Sequence, residues 1–125
     1  MRFLVAEDDE FNRLVILEML ALLYPAADVT VAGGGDEAAA LAAAQPFDIV
    51  LTDIDMPGLD GVGLLRHLRV ELGLSTPVVS VTAFAVVGDR ERLLMNGFDG
   101  YVSKPIDMDE LRRVLDPFVA AEVAT

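Results

Sequence analysis

The sequence predicts an α/β domain, a doubly wound three-layer sandwich built from five β–α pairs around a five-stranded parallel sheet. Three observations predict it. Five short apolar runs, each of strand length, alternate along the chain with helix-length amphipathic segments. The runs are apolar throughout rather than at every second residue, as strands covered on both faces must be. With 125 residues and 54% hydrophobic side chains, the chain can fill one core of ordinary size.

Phe3 to Ala6 is the first buried strand. A helix follows from about Asn12 to Leu23, with Asp9 favouring its start and Pro25 stopping it. Val29 to Ala32 is the second strand, and Gly33-Gly34-Gly35 reads as a turn. The Ala-rich stretch after it is an ordinary helix, about Asp36 to Ala44, because Asp36, Glu37 and Gln45 flank the alanines. Ile49 to Thr52 is the third strand, followed by the loop Asp53 to Gly58. Asp60 is placed to cap a third helix, about Gly61 to Leu72, which Gly73 closes. Pro77 opens the fourth strand, Val78 to Val81. A weaker fourth helix covers about Asp89 to Asn96, and Tyr101 and Val102 form a short fifth strand. The last helix starts at Asp107, whose spacing to Glu110 resembles a capping box, and runs to about Ala121. Right-handed crossovers then give a doubly wound sandwich, and the expectation is a flavodoxin-like sheet with strands in the order 2-1-3-4-5. No internal repeat or linker divides residues 1–125, so the expectation is one domain with no output domain.

Composition excludes several classes of function. Nine basic against 21 acidic residues give a net charge of −12, which opposes direct grip on nucleic acid and suits a cation or a basic partner surface. The absence of cysteine removes disulfides and thiolate metal sites. The apolar tracts are well short of the roughly 20 residues a membrane span needs. The start of the chain turns acidic too early for a signal peptide, so a cytoplasmic protein away from the membrane is expected. His67, the single histidine, lies among Arg66 and Arg69 and reads as a solvated side chain.

The polar residues at the strand ends carry the functional argument. Strand one stops at Glu7-Asp8-Asp9, strand three at Asp53 and strand four at Thr82, and Lys104 follows strand five. A parallel sheet points all these ends the same way, toward the edge where such folds bind ligands. Two like charges about 4 Å apart repel by about 4 kcal/mol at an effective dielectric near 20. A proton or a divalent cation would relieve that repulsion. Mg²⁺ fits, because it takes oxygen ligands from one or two carboxylates and keeps its waters. A carboxylate beside it can attack phosphorus and form an aspartyl phosphate, with Thr82 and Lys104 bonding to phosphoryl oxygens.

Four segments extend this reading: Leu4-Val5-Ala6-Glu7-Asp8-Asp9, Asp53-Ile54-Asp55-Met56-Pro57-Gly58-Leu59-Asp60-Gly61, Val81-Thr82-Ala83, and Tyr101-Val102-Ser103-Lys104-Pro105. In this order and at these distances the chain resembles the receiver domains of two-component response regulators, over about Phe3 to Val119. The resemblance implies a phosphorylation-activated switch, not a metabolic enzyme, whose only catalysis is of its own phosphorylation and dephosphorylation. It implies that Asp53 is the phosphoacceptor, and that Mg²⁺, with Mn²⁺ able to substitute, is held by Asp8, Asp53 and the backbone carbonyl of Asp55. Glu7 then acts through metal-bound water, Thr82 and Lys104 contact the phosphoryl group, and Tyr101 moves inward with Thr82. Lys104–Pro105 is expected to be a cis peptide bond, with Pro105 the cis proline. The donor is a histidine kinase or a histidine phosphotransfer protein, recognised through Phe11, Asn12, Val15, Pro105 and Ile106. Output to a downstream protein passes through the face formed by helix four, strand five and helix five. Phe84 is bulkier than the residue often found two beyond the threonine, and bears on the phosphoryl lifetime.

Two other readings share parts of the pattern. Asp53-Ile54-Asp55 resembles the Asp-x-Asp strand end of haloacid-dehalogenase-type phosphatases. That family, however, puts its nucleophile first and its acid pair last, the reverse of the order here. A flavodoxin-like flavin binder would share the fold, but the acids after strand one would repel its phosphate.

Overall fold

The computed structural model describes residues 1–83 and 96–124, with side-chain burial through residue 120. Five parallel strands, β1 (Arg2–Ala6), β2 (Asp28–Ala32), β3 (Ile49–Asp53), β4 (Val78–Thr82) and β5 (Gly100–Ser103), form one sheet in the order β2-β1-β3-β4-β5. Both the parallel sheet and its order are as the sequence predicts.

Side chains alternate across each strand, and the two sets enter separate cores. Leu4, Ala6, Val50 and Val78 face one layer with Ala38, Leu64, Leu65 and Leu68. Phe3, Val5, Ile49, Leu51, Val79 and Val81 face the other, against Ile16, Leu20, Leu111 and Leu115. All five residues of β3 and of β4 are buried, so the central strands are covered on both sides and apolar almost throughout.

Helix α1 (Glu10–Leu23) starts where Asp9 accepts a hydrogen bond from the Asn12 N–H at 2.8 Å, and ends at Tyr24 before Pro25. Helix α2 (Gly35–Ala44) begins one residue earlier than expected. Gly35 is therefore more than part of a turn. A Cβ there would stand 2.0 Å from the Leu59 carbonyl oxygen, so only glycine lets α2 approach the loop after β3. Helix α3 (Gly61–Arg66) is capped by Asp60, which accepts from the Gly63 N–H at 2.8 Å. It continues as a π-helical turn, His67–Glu71, where the expectation was unbroken α-helix. The Leu72 N–H donates to the His67 carbonyl at 3.1 Å, five residues back. The expected fourth helix and Phe84 lie outside the described residues.

The C-terminal helix (Met108–Ala124) buries Leu111 and Leu115 and runs through Pro117. Asp107 caps it through the Glu110 N–H at 2.9 Å. The reciprocal half of a capping box is replaced: the Glu110 carboxylate turns to Ser103 instead.

Candidate functional site

The carboxyl ends of β1, β3, β4 and β5 converge at one edge. Ala6 pairs with Thr52, Asp53 with Val81, and Thr82 with Ser103, so Glu7, Asp53, Thr82 and Lys104 emerge side by side. Two neighbouring contacts set the backbone there. The Lys104 N–H donates to the Thr82 carbonyl at 2.8 Å, and the Gly61 N–H donates to the Ile54 carbonyl at 2.9 Å, folding the loop after Asp53 onto α3.

Lys104 stands between two acids. Its Nζ lies 3.0 Å from Asp53 Oδ2 and 3.1 Å from Glu7 Oε1. Glu7 is 1% exposed and Asp53 is 7% exposed, so both carboxylates lie out of bulk water. Asp8 is exposed, yet one oxygen each of Glu7, Asp8 and Asp53 lie within 4.8 Å of one another. The Asp55 N–H reaches Asp53 Oδ1 at 3.4 Å. Thr82 is buried at the end of β4, and Tyr101, half-buried in β5, packs on the core that holds Leu4 and Val50. Lys104–Pro105 is cis.

Burial, followed by a hydrogen bond with Asp53, pushes Glu7 up to about 7, against the pull of Lys104. Burial would lower the Lys104 ammonium, but its bonds and attraction to Asp53 and Glu7 outweigh that and hold it above its ordinary value. Glu7 Oε2 is buried without a hydrogen-bond partner. Such an atom carries a proton or faces a ligand, since a buried bare carboxylate oxygen is costly. Three clustered carboxylates with one orphaned oxygen make an all-oxygen donor set suited to a hard divalent cation.

The raised Glu7 sets a sign for pH dependence. Its contribution is fully present below about 4.5, where folded and unfolded chains both hold the proton, and is lost as pH rises through about 7. In the absence of divalent cations the chain should lose on the order of 1–3 kcal/mol between pH 4.5 and 8 from this group. Glu7→Gln should flatten that fall and unfold at a higher temperature than the parent at pH 8. Thermal melts across the range check it, and an unchanged slope in the Gln variant would count against the assignment.

Some expected residues lie beside the cluster rather than in it. Phe11 is 71% exposed on α1 and Pro105 is exposed, while Asn12, Val15 and Ile106 are half-buried. Leu14, also on α1, is 54% exposed and was not anticipated, because the whole of α1 is apolar enough to hide which face turns outward. Arg13 was missed as well. Its guanidinium donates to the carbonyls of Glu7 at 3.0 Å and Asp8 at 3.3 Å, bracing the acidic loop. A lone base one turn after the acid run was the available signal. His67 is half-buried and outside the acidic cluster.

With this geometry established, a model of the response regulator receiver domain matches residues 3–116. The chain belongs to the response regulator receiver family. Its relatives include histidine kinases. The sensor histidine kinase RcsC of Salmonella typhi is 36% identical over 115 residues, covering 92% of this chain and 12% of that protein. The osmosensing histidine protein kinase SLN1 of Saccharomyces cerevisiae is 32% identical over 125 residues, 96% of this chain and 10% of that one. The receiver thus spans only a small part of these relatives. Among solved structures, the receiver domain of the sensor histidine kinase PA1611 from Pseudomonas aeruginosa PAO1 is 36% identical with a TM-score of 0.83, covering 95% of this chain and 97% of that one. That structure holds a magnesium ion coordinated in its active-site cleft. The receiver family belongs to two-component and phosphorelay signalling. Among the described residues, no helix is long and apolar enough to cross a membrane.

Proposed function

We propose that this receiver accepts a phosphoryl group on Asp53 from a phosphohistidine of a histidine kinase or phosphotransfer protein. The observation that carries the reading is Lys104 Nζ held 3.0 Å from Asp53 Oδ2 and 3.1 Å from Glu7 Oε1, beside Asp8 at the carboxyl edge of the sheet. A carboxylate oxygen of Asp53 forms the new bond to phosphorus as the phosphorus–nitrogen bond breaks, and the freed imidazole keeps the bonding electrons and takes up a proton. Asp8, Asp53 and the Asp55 carbonyl would hold Mg²⁺, or Mn²⁺ in its place, with Glu7 reached through water. When bound, that cation neutralises charge on the transferring group.

The chain's own residues position the reaction. Lys104 meets a phosphoryl oxygen with an ammonium already fixed at the site, and Thr82 supplies a hydroxyl at the end of β4. Phosphorylation adds charge to an edge already acidic, and drawing Thr82 and Lys104 toward it carries Tyr101 along. The output face comprises β5, the C-terminal helix and the fourth helix expected from the sequence. Phe11, Asn12, Val15, Pro105 and Ile106 form the surface that meets the phosphodonor protein. Residues 1–125 act as one receiver unit, working in the cytoplasm on a downstream protein.

Incubation with acetyl phosphate, followed by intact-mass spectrometry, tests the reading. Mg²⁺ or Mn²⁺ should permit labelling that chelation prevents, with the label mapping to Asp53. Equal labelling in the presence of a chelator would sink the proposal.

A further inference from the structure

The loop that carries Lys104 is tied at both ends to one residue of the C-terminal helix. Glu110 Oε1 accepts from the Ser103 N–H at 2.6 Å and from Ser103 Oγ at 2.9 Å, and Oε2 lies 3.2 Å from the same hydroxyl. The Glu110 N–H donates to Asp107 Oδ2 at 2.9 Å, at the other end of the loop. Ser103 is the last residue of β5, an edge strand. Successive N–H groups along a strand point to opposite sides. That of Lys104 is used inward on the Thr82 carbonyl at 2.8 Å, so that of Ser103 faces the open edge. Among the described residues no strand lies there, and the Glu110 carboxylate takes the place of one. Bonds to a charged acceptor of this kind are shorter and stronger than neutral ones. The two peptides that flank Ser103 are therefore gripped from opposite sides, the one after it by a carbonyl of β4 and the one before it by a carboxylate of the helix.

We propose that Glu110 is a positioning residue for Lys104, fixing the backbone from which the ammonium reaches Glu7 and Asp53. The proposal rests on the reading that Lys104 serves phosphoryl transfer to Asp53. The Asp107–Glu110 spacing favours a reciprocal cap on the helix, and Glu110 forgoes that bond. What the detour secures is the strand end one residue before Lys104. The acids that would hold the divalent cation stand just after β1 and at and just after the end of β3, and the hydrogen bonds of Glu110 go to Ser103 and Asp107 instead. Glu110 thus governs the placement of the ammonium while making its own hydrogen bonds outside the carboxylate cluster.

Two measurements on the 125-residue chain separate this role from a merely structural one: the maximal labelling rate with acetyl phosphate, and the Mg²⁺ dissociation constant by calorimetry without phosphodonor. Glu110→Ala should lower the maximal rate about tenfold, because small misplacement of a reacting group is costly. Mg²⁺ affinity should stay within about twofold of the parent, because Glu110 makes no hydrogen bond to the cluster. Glu110→Gln, which keeps an acceptor oxygen for both Ser103 groups, should restore most of the rate. Should Glu110→Ala fail to fold, Ser103→Ala removes the hydroxyl bonds alone and should lower the rate about twofold to threefold. A parent-like rate in the folded Ala variants, or a parallel loss of rate and Mg²⁺ affinity, overturns the proposal. A parent chain that takes no label overturns instead the reading beneath it.

Discussion

Replacing Asp53 with Asn is expected to reduce labelling by acetyl phosphate by ~10³-fold or more, since no other group in the proposed mechanism supplies the attacking oxygen. The same substitution should change the metal-free protein in a second, measurable way. Burial is the largest cause of the raised Glu7, and the hydrogen bond and charge of Asp53 add to it. With Asn at 53 the added part is removed, so Glu7 should release its proton at lower pH while staying above the ordinary carboxylate range. Lys104 then pairs with Glu7 alone. The stability lost between pH 4.5 and 8 should shrink in the Asn variant, though less than in Glu7→Gln. Labelling that persists on another residue at the parent rate would remove Asp53 from the role. An unchanged pH slope would remove its coupling to Glu7.

The second large effect is expected at Gly61. A Cβ there would stand 2.3 Å from the Asp53 carbonyl oxygen and 2.9 Å from Ile54 Cα, both backbone atoms with no rotamer to escape into. Gly61→Ala must therefore push the loop after β3 away from α3 and stretch the Gly61 N–H bond to Ile54. A cost of about 2–3 kcal/mol follows from overpacking of this kind, lowering the unfolding temperature by roughly 10 °C. Because the displaced carbonyl belongs to Asp53, labelling should also fall, by about 10- to 100-fold. Gly34→Ala is the control. Nothing lies within 4 Å of its Cβ and its backbone is extended, so the change should stay within about 0.5 kcal/mol. Equal stability of the two variants would contradict the close approach at Gly61.

The site was legible because buried strands make sharp boundaries. β3 is apolar until Thr52 and Asp53, and β1 until Glu7, so a charged residue at either end marks where the sheet stops being covered. Topology did the rest, turning scattered strand ends into one edge. What stayed hidden were the partnerships chosen there. Nothing in the spacing says that Lys104 would sit between Glu7 and Asp53, leaving one oxygen of Glu7 orphaned. The capping-box spacing of Asp107 and Glu110 marks the helix start and is met in one half only, for a related reason. A capping-box spacing specifies what a carboxylate can reach locally, and an unpaired strand edge outbid the local partner. Gly35 and Gly61 look like turn or helix-start glycines in the sequence, while their purpose is contact with distant backbone. Helix α1 failed differently. Its apolar residues lie on too many sides for periodicity to predict that Leu14 faces outward along with Phe11.

Among the described residues the sheet pairs only parallel strands, so each strand finds its neighbour across a long stretch of chain. Lys104 meets Asp53 across 51 positions and Glu7 across 97. Such distant pairings close late, after much loop entropy has been given up. The mutual repulsion of the acids consequently arises once β1 pairs with β3, and Lys104 relieves it only when β5 docks. A counter-ion bound there would act as a latch on the completed molecule, slowing its opening without hastening its assembly.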